Sequence, residues 1–274
     1  MTEPIQYPLL AGRVLTRVIE TGEGSDAILF VHGLGARADR WRLTLPSLAR
    51  HGYHCYALDL PGHGFAQKSA DIPADVPGFA GFVCDALDAL ELERVFLIGT
   101  SLGGHISAWL ACEEPRRVRG LVLVGATGLV PLSAEAGEAI RRNVQRTDRS
   151  AIAEKLSFVL ADPALVTPRL VEEEYRINNS PGAVEGFVRL GDYIAGGINQ
   201  HVVGARLAGQ VGKLPMLLAW GEDDRAVPLA LGREAQAFLK GVELVVVPRA
   251  GHAPYFERPQ EFEPPVLRFL DRYR

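Results

Sequence analysis

Polar and apolar residues alternate over 12–20, the pattern of a half-solvated strand, and this stretch reads as an edge strand. A different pattern follows at 27–31, Ala-Ile-Leu-Phe-Val, where every residue is apolar. That is typical of a strand buried on both faces. Further strands are expected at 53–59, 95–99, 118–125, 214–221 and 242–247, each dominated by apolar and β-branched residues. Helical spacing fills the gaps between them, with helices expected at 40–50, 79–90, 106–112 and 229–239. In the second of these, Phe79, Phe82, Val83 and Leu87 share one face. Strand and helix in strict alternation predict an α/β fold, a mostly parallel sheet covered on both sides.

The rhythm stops after 126 and returns at 206. Across 127–205 only helical periods occur, as in Ile152, Leu156, Val159 and Leu160. Thr167-Pro168 and Ser180-Pro181 each read as an N-cap followed by proline at the first helical position. Behind the second, Val184, Phe187, Val188 and Gly191 form the expected inward stripe. Residues 1–126 and 206–274 are therefore expected to form one core, with 127–205 inserted as a helical cap.

Composition changes this picture little. Of 274 residues, 47% are hydrophobic and 23% charged, and the formal net charge is −4, so neither nucleic acid nor an anionic membrane is expected as a partner. No run of 18 apolar residues exists and the opening seven residues lack a signal-peptide pattern. Cys55, Cys84 and Cys112 are odd in number and set in apolar surroundings, which suggests free thiols in a cytoplasmic protein. Neither a metal-ligand cluster nor a dinucleotide fingerprint is present, so no metal or cofactor is expected.

The candidate chemistry lies at strand ends. The apolar run at 95–98 drives into Gly99-Thr-Ser101-Leu-Gly103 and then into a helix. A strand that turns this sharply needs glycine on either side of the bend, and it forces the hydroxyl at the apex outward. Asp224 and His252 follow the strands at 214–221 and 242–247. In a parallel sheet all three residues arrive at one rim, where a hydroxyl, a base and an orienting acid can meet.

The chain order Ser, Asp, His is that of the α/β-hydrolases, and the sequence resembles that family, with a helical cap, over nearly its whole length. His32-Gly33-Leu34-Gly35 resembles the family's oxyanion loop, which implies that the backbone N–H groups of Leu34 and Leu102 hold the oxyanion. Asp59-Leu-Pro-Gly62-His63-Gly64 resembles the loop after the next strand. Gly251-His252 with Glu257 and Pro259 resembles the histidine loop, Glu257 ordering it. The family places the acid three residues after the strand-terminal Gly221, which selects Asp224 over Asp223. Gly125-Ala126-Thr127, the other place where relatives carry an acid, offers none.

Two departures stand out. Phe65-Ala66 occupies a place where relatives commonly carry serine, and Pro264-Pro265 interrupts the final amphipathic stretch, where a helix break is expected. The resemblance implies a serine hydrolase acting on a small molecule through Ser101, His252 and Asp224, with homo-oligomerisation left open. Carboxylic ester hydrolysis is the first expectation and carbon–carbon hydrolysis of ring-cleavage products the second. Thioesters, amides, acyl transfer and a non-catalytic receptor follow. Carbon–carbon hydrolases of the family commonly place tryptophan after the catalytic histidine, whereas this chain has Ala253. They also need polar or cationic groups near the acyl end, for which Arg189, Arg176 and Arg206 are candidates.

Overall fold

The computed structural model describes residues 3–274. Met1 and Thr2, which belong to the opening stretch read above, lie outside the described residues. Eight strands form one sheet: β1 (Ile5–Ala11), β2 (Val14–Thr21), β3 (Asp26–Val31), β4 (Tyr53–Leu58), β5 (Val95–Thr100), β6 (Val118–Val124), β7 (Met216–Gly221) and β8 (Glu243–Val247). Their spatial order is β1-β2-β4-β3-β5-β6-β7-β8. The pairs from β4 to β8 are parallel, and only the β1–β2 and β2–β4 pairs are antiparallel.

This corrects the expected edge. The alternating stretch is β2, which is paired on both sides, and β1 takes the edge outside it. β1 contains Pro8, a residue that a sheet tolerates on an edge strand because no donor is needed on the outer side.

The all-apolar strands serve two cores, because successive side chains point to opposite faces. Leu29, Val31 and Leu97 face α2 (Val76–Ala89) and α3 (Leu102–Glu113); Ile28, Phe30 and Phe96 face α1 (Thr44–Arg50) and the C-terminal helix. The expected helix at 40–50 is a 3₁₀ turn (Ala38–Trp41) followed by α1. In α2, Phe79, Phe82, Val83 and Leu87 are all buried, and Asp75 caps its start by accepting from the Gly78 N–H at 2.7 Å.

Between β6 and β7 run α4 (Ala134–Val144), α5 (Arg149–Val159), α6 (Pro168–Asn178), α7 (Ala183–Gly196) and α8 (Gly204–Ala208), with no strand among the described residues of that span. Thr167 caps α6 as expected, accepting from the Leu170 N–H at 3.1 Å. Ser180-Pro181 does not open α7. The Ser180 hydroxyl instead donates to the Ile177 carbonyl at the end of α6, and Gly182, left-handed at φ 81°, precedes the first residue of α7. The inward face of α7 is correspondingly Phe187, Leu190, Gly191 and Ile194, while Val184 and Val188 are exposed.

After β7 come α9 (Leu229–Phe238), α10 (Pro254–Glu257) and α11 (Pro259–Arg272). The expected break at Pro264-Pro265 does not occur; both prolines lie inside α11. Each costs roughly 3 kcal/mol in a helix interior. Phe262, Val266, Phe269 and Leu270 are buried against the sheet, each contributing about 1.5–3 kcal/mol, which offsets that cost. No helix among the described residues is long and apolar enough to cross a membrane.

Candidate active site

Ser101 stands between β5 and α3 with φ 54° and ψ −122°, in the left-handed half of the map that non-glycine residues avoid. Two close approaches hold it there. A Cβ on Gly99 would lie 2.4 Å from the Gly103 carbonyl oxygen, so only glycine lets strand and helix meet. A Cβ on Gly103 would lie 2.3 Å from the Val31 carbonyl oxygen, so this glycine seats α3 on the end of β3 rather than on its own strand. The Ser101 N–H donates to Val124, and its carbonyl accepts from His105 and Thr127. Its hydroxyl makes no cap to α3, although serine is a common helix cap. The backbone is tied down on three sides while Oγ is left for other partners.

Asp224 and His252 meet beyond β7 and β8. His252 Nδ1 donates to Asp224 Oδ2 at 2.8 Å. Asp224 is buried, and its other oxygen accepts from the N–H groups of Ala226 and Val227 at 2.9 and 2.8 Å. Gly125, at φ 50°, passes beneath this pair, where a Cβ would lie 3.0 Å from Asp224 Oδ2 and 3.1 Å from His252 Nδ1. The histidine loop is pinned from two directions. The His252 N–H donates to the Val159 carbonyl of α5, and Glu257 accepts from Gly251 and Ala253 on one oxygen and from Ala161 and Asp162 on the other.

Ser101 and His252 line one cavity of about 330 Å³, together with Leu34 and Leu102. No hydrogen bond joins Ser101 Oγ to His252; such contacts commonly tighten only when substrate is bound. Ala253 and Tyr255, which follow His252 in the chain, also line the cavity.

The sequence model of the alpha/beta hydrolase fold matches residues 26–259, most of the chain. The chain belongs to the alpha/beta hydrolase fold family. It is similar, at 31% identity over 96% of this chain and 68% of the relative, to the dihydrolipoyllysine-residue acetyltransferase component of the acetoin cleaving system of Pseudomonas putida. It is 30% identical to the 2-hydroxy-6-oxo-2,4-heptadienoate hydrolase of Pseudomonas putida, across 96% of this chain and 95% of that one. Among solved structures it resembles a meta-cleavage product hydrolase from Pseudomonas fluorescens, with TM-score 0.83, 26% identity and 98% of each chain covered.

In this hydrolase-fold chain Asp223 and the histidines other than His252 that lie near the strand ends have other partners. Asp223 is exposed and its N–H donates to Ala250. His32 is fully buried; Nδ1 donates to the Gly33 carbonyl, and Nε2 accepts from the Leu60 N–H at 2.9 Å. His63 bonds to the Pro61 carbonyl and packs edge-on against Phe79 and Phe187, and His105 ties α3 to the His201 carbonyl. None of the three proposed arginines lines the cavity. Arg189 donates to the Ser69 carbonyl, Arg176 pairs with Glu172, and Arg206 pairs with Glu113.

Sequence reasoning missed the charged groups that do line it. Arg40 and the buried Glu174 of α6 form an ion pair at 2.7 Å, which Arg37 joins at 2.5 Å. This pair is separated by 134 positions in sequence, so no local pattern could announce it. The other is Lys155 on α5. Its place in a helical stripe reads simply as a polar position.

Burial gives the structural histidines a measurable role. Desolvation pushes His63 down to about 3 and His105 to about 4, and lowers His32 as well. Unfolded imidazoles titrate near 6.5, so below that pH the unfolded chain binds protons that the folded chain excludes. Stability is therefore full above about pH 6.5 and falls as the pH drops toward the folded values. Between pH 6.5 and 5 the expected slope is about 1 kcal/mol per pH unit each for His63 and His105. Urea unfolding across this window should show a shallower decline for His63→Gln; an equally steep one would contradict the assignment.

Proposed function

We propose that the chain is a serine hydrolase in which Ser101 attacks an acyl carbon, His252 takes and returns the proton, and Asp224 holds the imidazole in its productive tautomer. The observation that carries this reading is the 2.8 Å Asp224–His252 hydrogen bond beside the cavity that Ser101 lines. The amides of Leu34 and Leu102 would receive the developing oxyanion, Leu102 from the first turn of α3. Water activated by His252 would then release the acyl group from Ser101. The helices between β6 and β7 act as the cap that closes over this site, clasped to the core through Glu174 and its two arginines.

For the bond cleaved, the full-length similarity to a dienoate hydrolase moves carbon–carbon hydrolysis ahead of ester hydrolysis. In that reaction Ser101 adds to a ketone. The dienol part of the substrate must first become its keto tautomer, so that the carbon–carbon bond breaks with its electron pair delocalised as a dienolate. The departing carbon side takes the proton held by His252, and hydrolysis of the acyl-serine completes the cycle. Ester cleavage remains a second reading on a specific observation. Ala253 lines the cavity directly after His252, where carbon–carbon hydrolases commonly carry tryptophan. A side-by-side assay of a ring-fission dienone and short-chain p-nitrophenyl esters separates the two. The first reading expects a kcat/KM for the dienone more than tenfold above every ester; the reverse order would replace it with the second.

A further inference from the structure

The cavity has a polar end remote from the catalytic residues in sequence and built wholly by the inserted helices. Asn143, Thr147, Lys155 and Asn178 all line it. They gather around the α4–α5 turn. Asn143 sits in the last turn of α4 and Thr147 in the connection. Lys155 reaches back from α5, its Nζ donating to the Arg146 carbonyl. Asn178 is brought in by its neighbour: the Asn179 amide donates to the Thr147 carbonyl at 2.8 Å, and the Thr147 hydroxyl donates to Asn179 Oδ1. The other residues that α4 and α5 contribute to the wall include Ile140, Val144, Ile152 and Leu156, so the polar cluster is distinct in character.

Lys155 is the anomaly in this cluster. An ammonium has three donors, and this one spends a single donor on a carbonyl. Among the described residues no carboxylate lies within ion-pair distance of it. The carboxylates nearby are committed or displaced: Glu154 pairs with Arg146, and Asp148 caps α5 through the Ala151 N–H. Glu174, the carboxylate in the cavity wall, is held by Arg37 and Arg40. A half-buried cation without a counter-ion is costly to hold unless a ligand supplies the missing charge.

We propose that this end of the cavity is a carboxylate-binding subsite, in which Lys155 and the side-chain amides of Asn143 and Asn178 hold an acid group remote from the carbonyl that Ser101 attacks. The inference deepens the hydrolase reading and rests on it for the position of the reacting carbonyl. The substrate class is then an acyl compound with an apolar middle and an anionic far end. Desolvation, with Arg146 adding to it and Asp148 opposing, lowers the amine to about 8, so its grip on an anion weakens just above neutrality.

The test uses monomethyl and dimethyl esters of straight dicarboxylic acids of six to ten carbons, which differ only in the distal charge. Calorimetric binding to Ser101→Ala should favour a half-ester over its diester at least tenfold at pH 7. That ratio should fall to near one when Lys155→Met is added and survive with Lys155→Arg. With Lys155 intact the preference should fade above about pH 8, and with Lys155→Arg it should persist. Equal binding of the two esters to Ser101→Ala, or a preference that survives Lys155→Met, overturns the subsite. A protein that shows the expected ratios yet turns over neither esters nor the dienone would overturn the hydrolase reading and leave the subsite standing.

Discussion

Ser101→Ala is expected to lower kcat roughly 10⁶-fold, the scale seen when a serine nucleophile acting with a histidine base is removed. The residual rate over water would come from the cavity and the oxyanion-binding amides. The fold should survive. The backbone of Ser101 is held by hydrogen bonds of its own N–H and carbonyl, which alanine keeps, and the hydroxyl caps nothing. Alanine at φ 54° bears the same strain as serine, so the melting temperature should change little. Steady-state turnover and thermal unfolding of the variant check both halves. A variant that unfolds would mean that Oγ is structural.

Asp224→Asn should cost about 10⁴ in kcat, whereas Asp223→Asn should stay within a few-fold of the wild type. The amide at 224 can keep one acceptor for Ala226 and Val227. Its nitrogen would then face His252 Nδ1 as a donor and select the wrong tautomer. The side chain of Asp223 is exposed to solvent and far less constrained, so its charge is screened. Measuring kcat for the two variants on one substrate decides between adjacent carboxylates. A larger loss at 223 would transfer the role to it.

How much of this was legible in the chain depends on how local each feature is. The buried strands were, because two-sided burial leaves an unbroken apolar run, as at Ala27 to Val31. The Ser101 bend was legible for the same reason, since its glycines are demanded by contacts a few residues away or one strand across. β1 was not, because six of its seven residues are exposed or half-buried and Pro8 argues against a strand. In α11 the local rule failed against tertiary burial; four buried side chains outweigh two prolines. Lys155 and Glu174 were invisible because their meaning lies in what stands opposite them, on elements brought together only by the fold.

The central claim, that Ser101 is the activated nucleophile of this cavity, is tested most directly by covalent labelling. A fluorophosphonate reacts far faster with a hydroxyl that a neighbouring base activates than with an ordinary serine. Mass spectrometry of the treated protein should find one adduct, on the peptide that carries Ser101, greatly slowed in His252→Ala and absent from Ser101→Ala. An adduct on another residue, or labelling that persists undiminished in Ser101→Ala, would contradict the account.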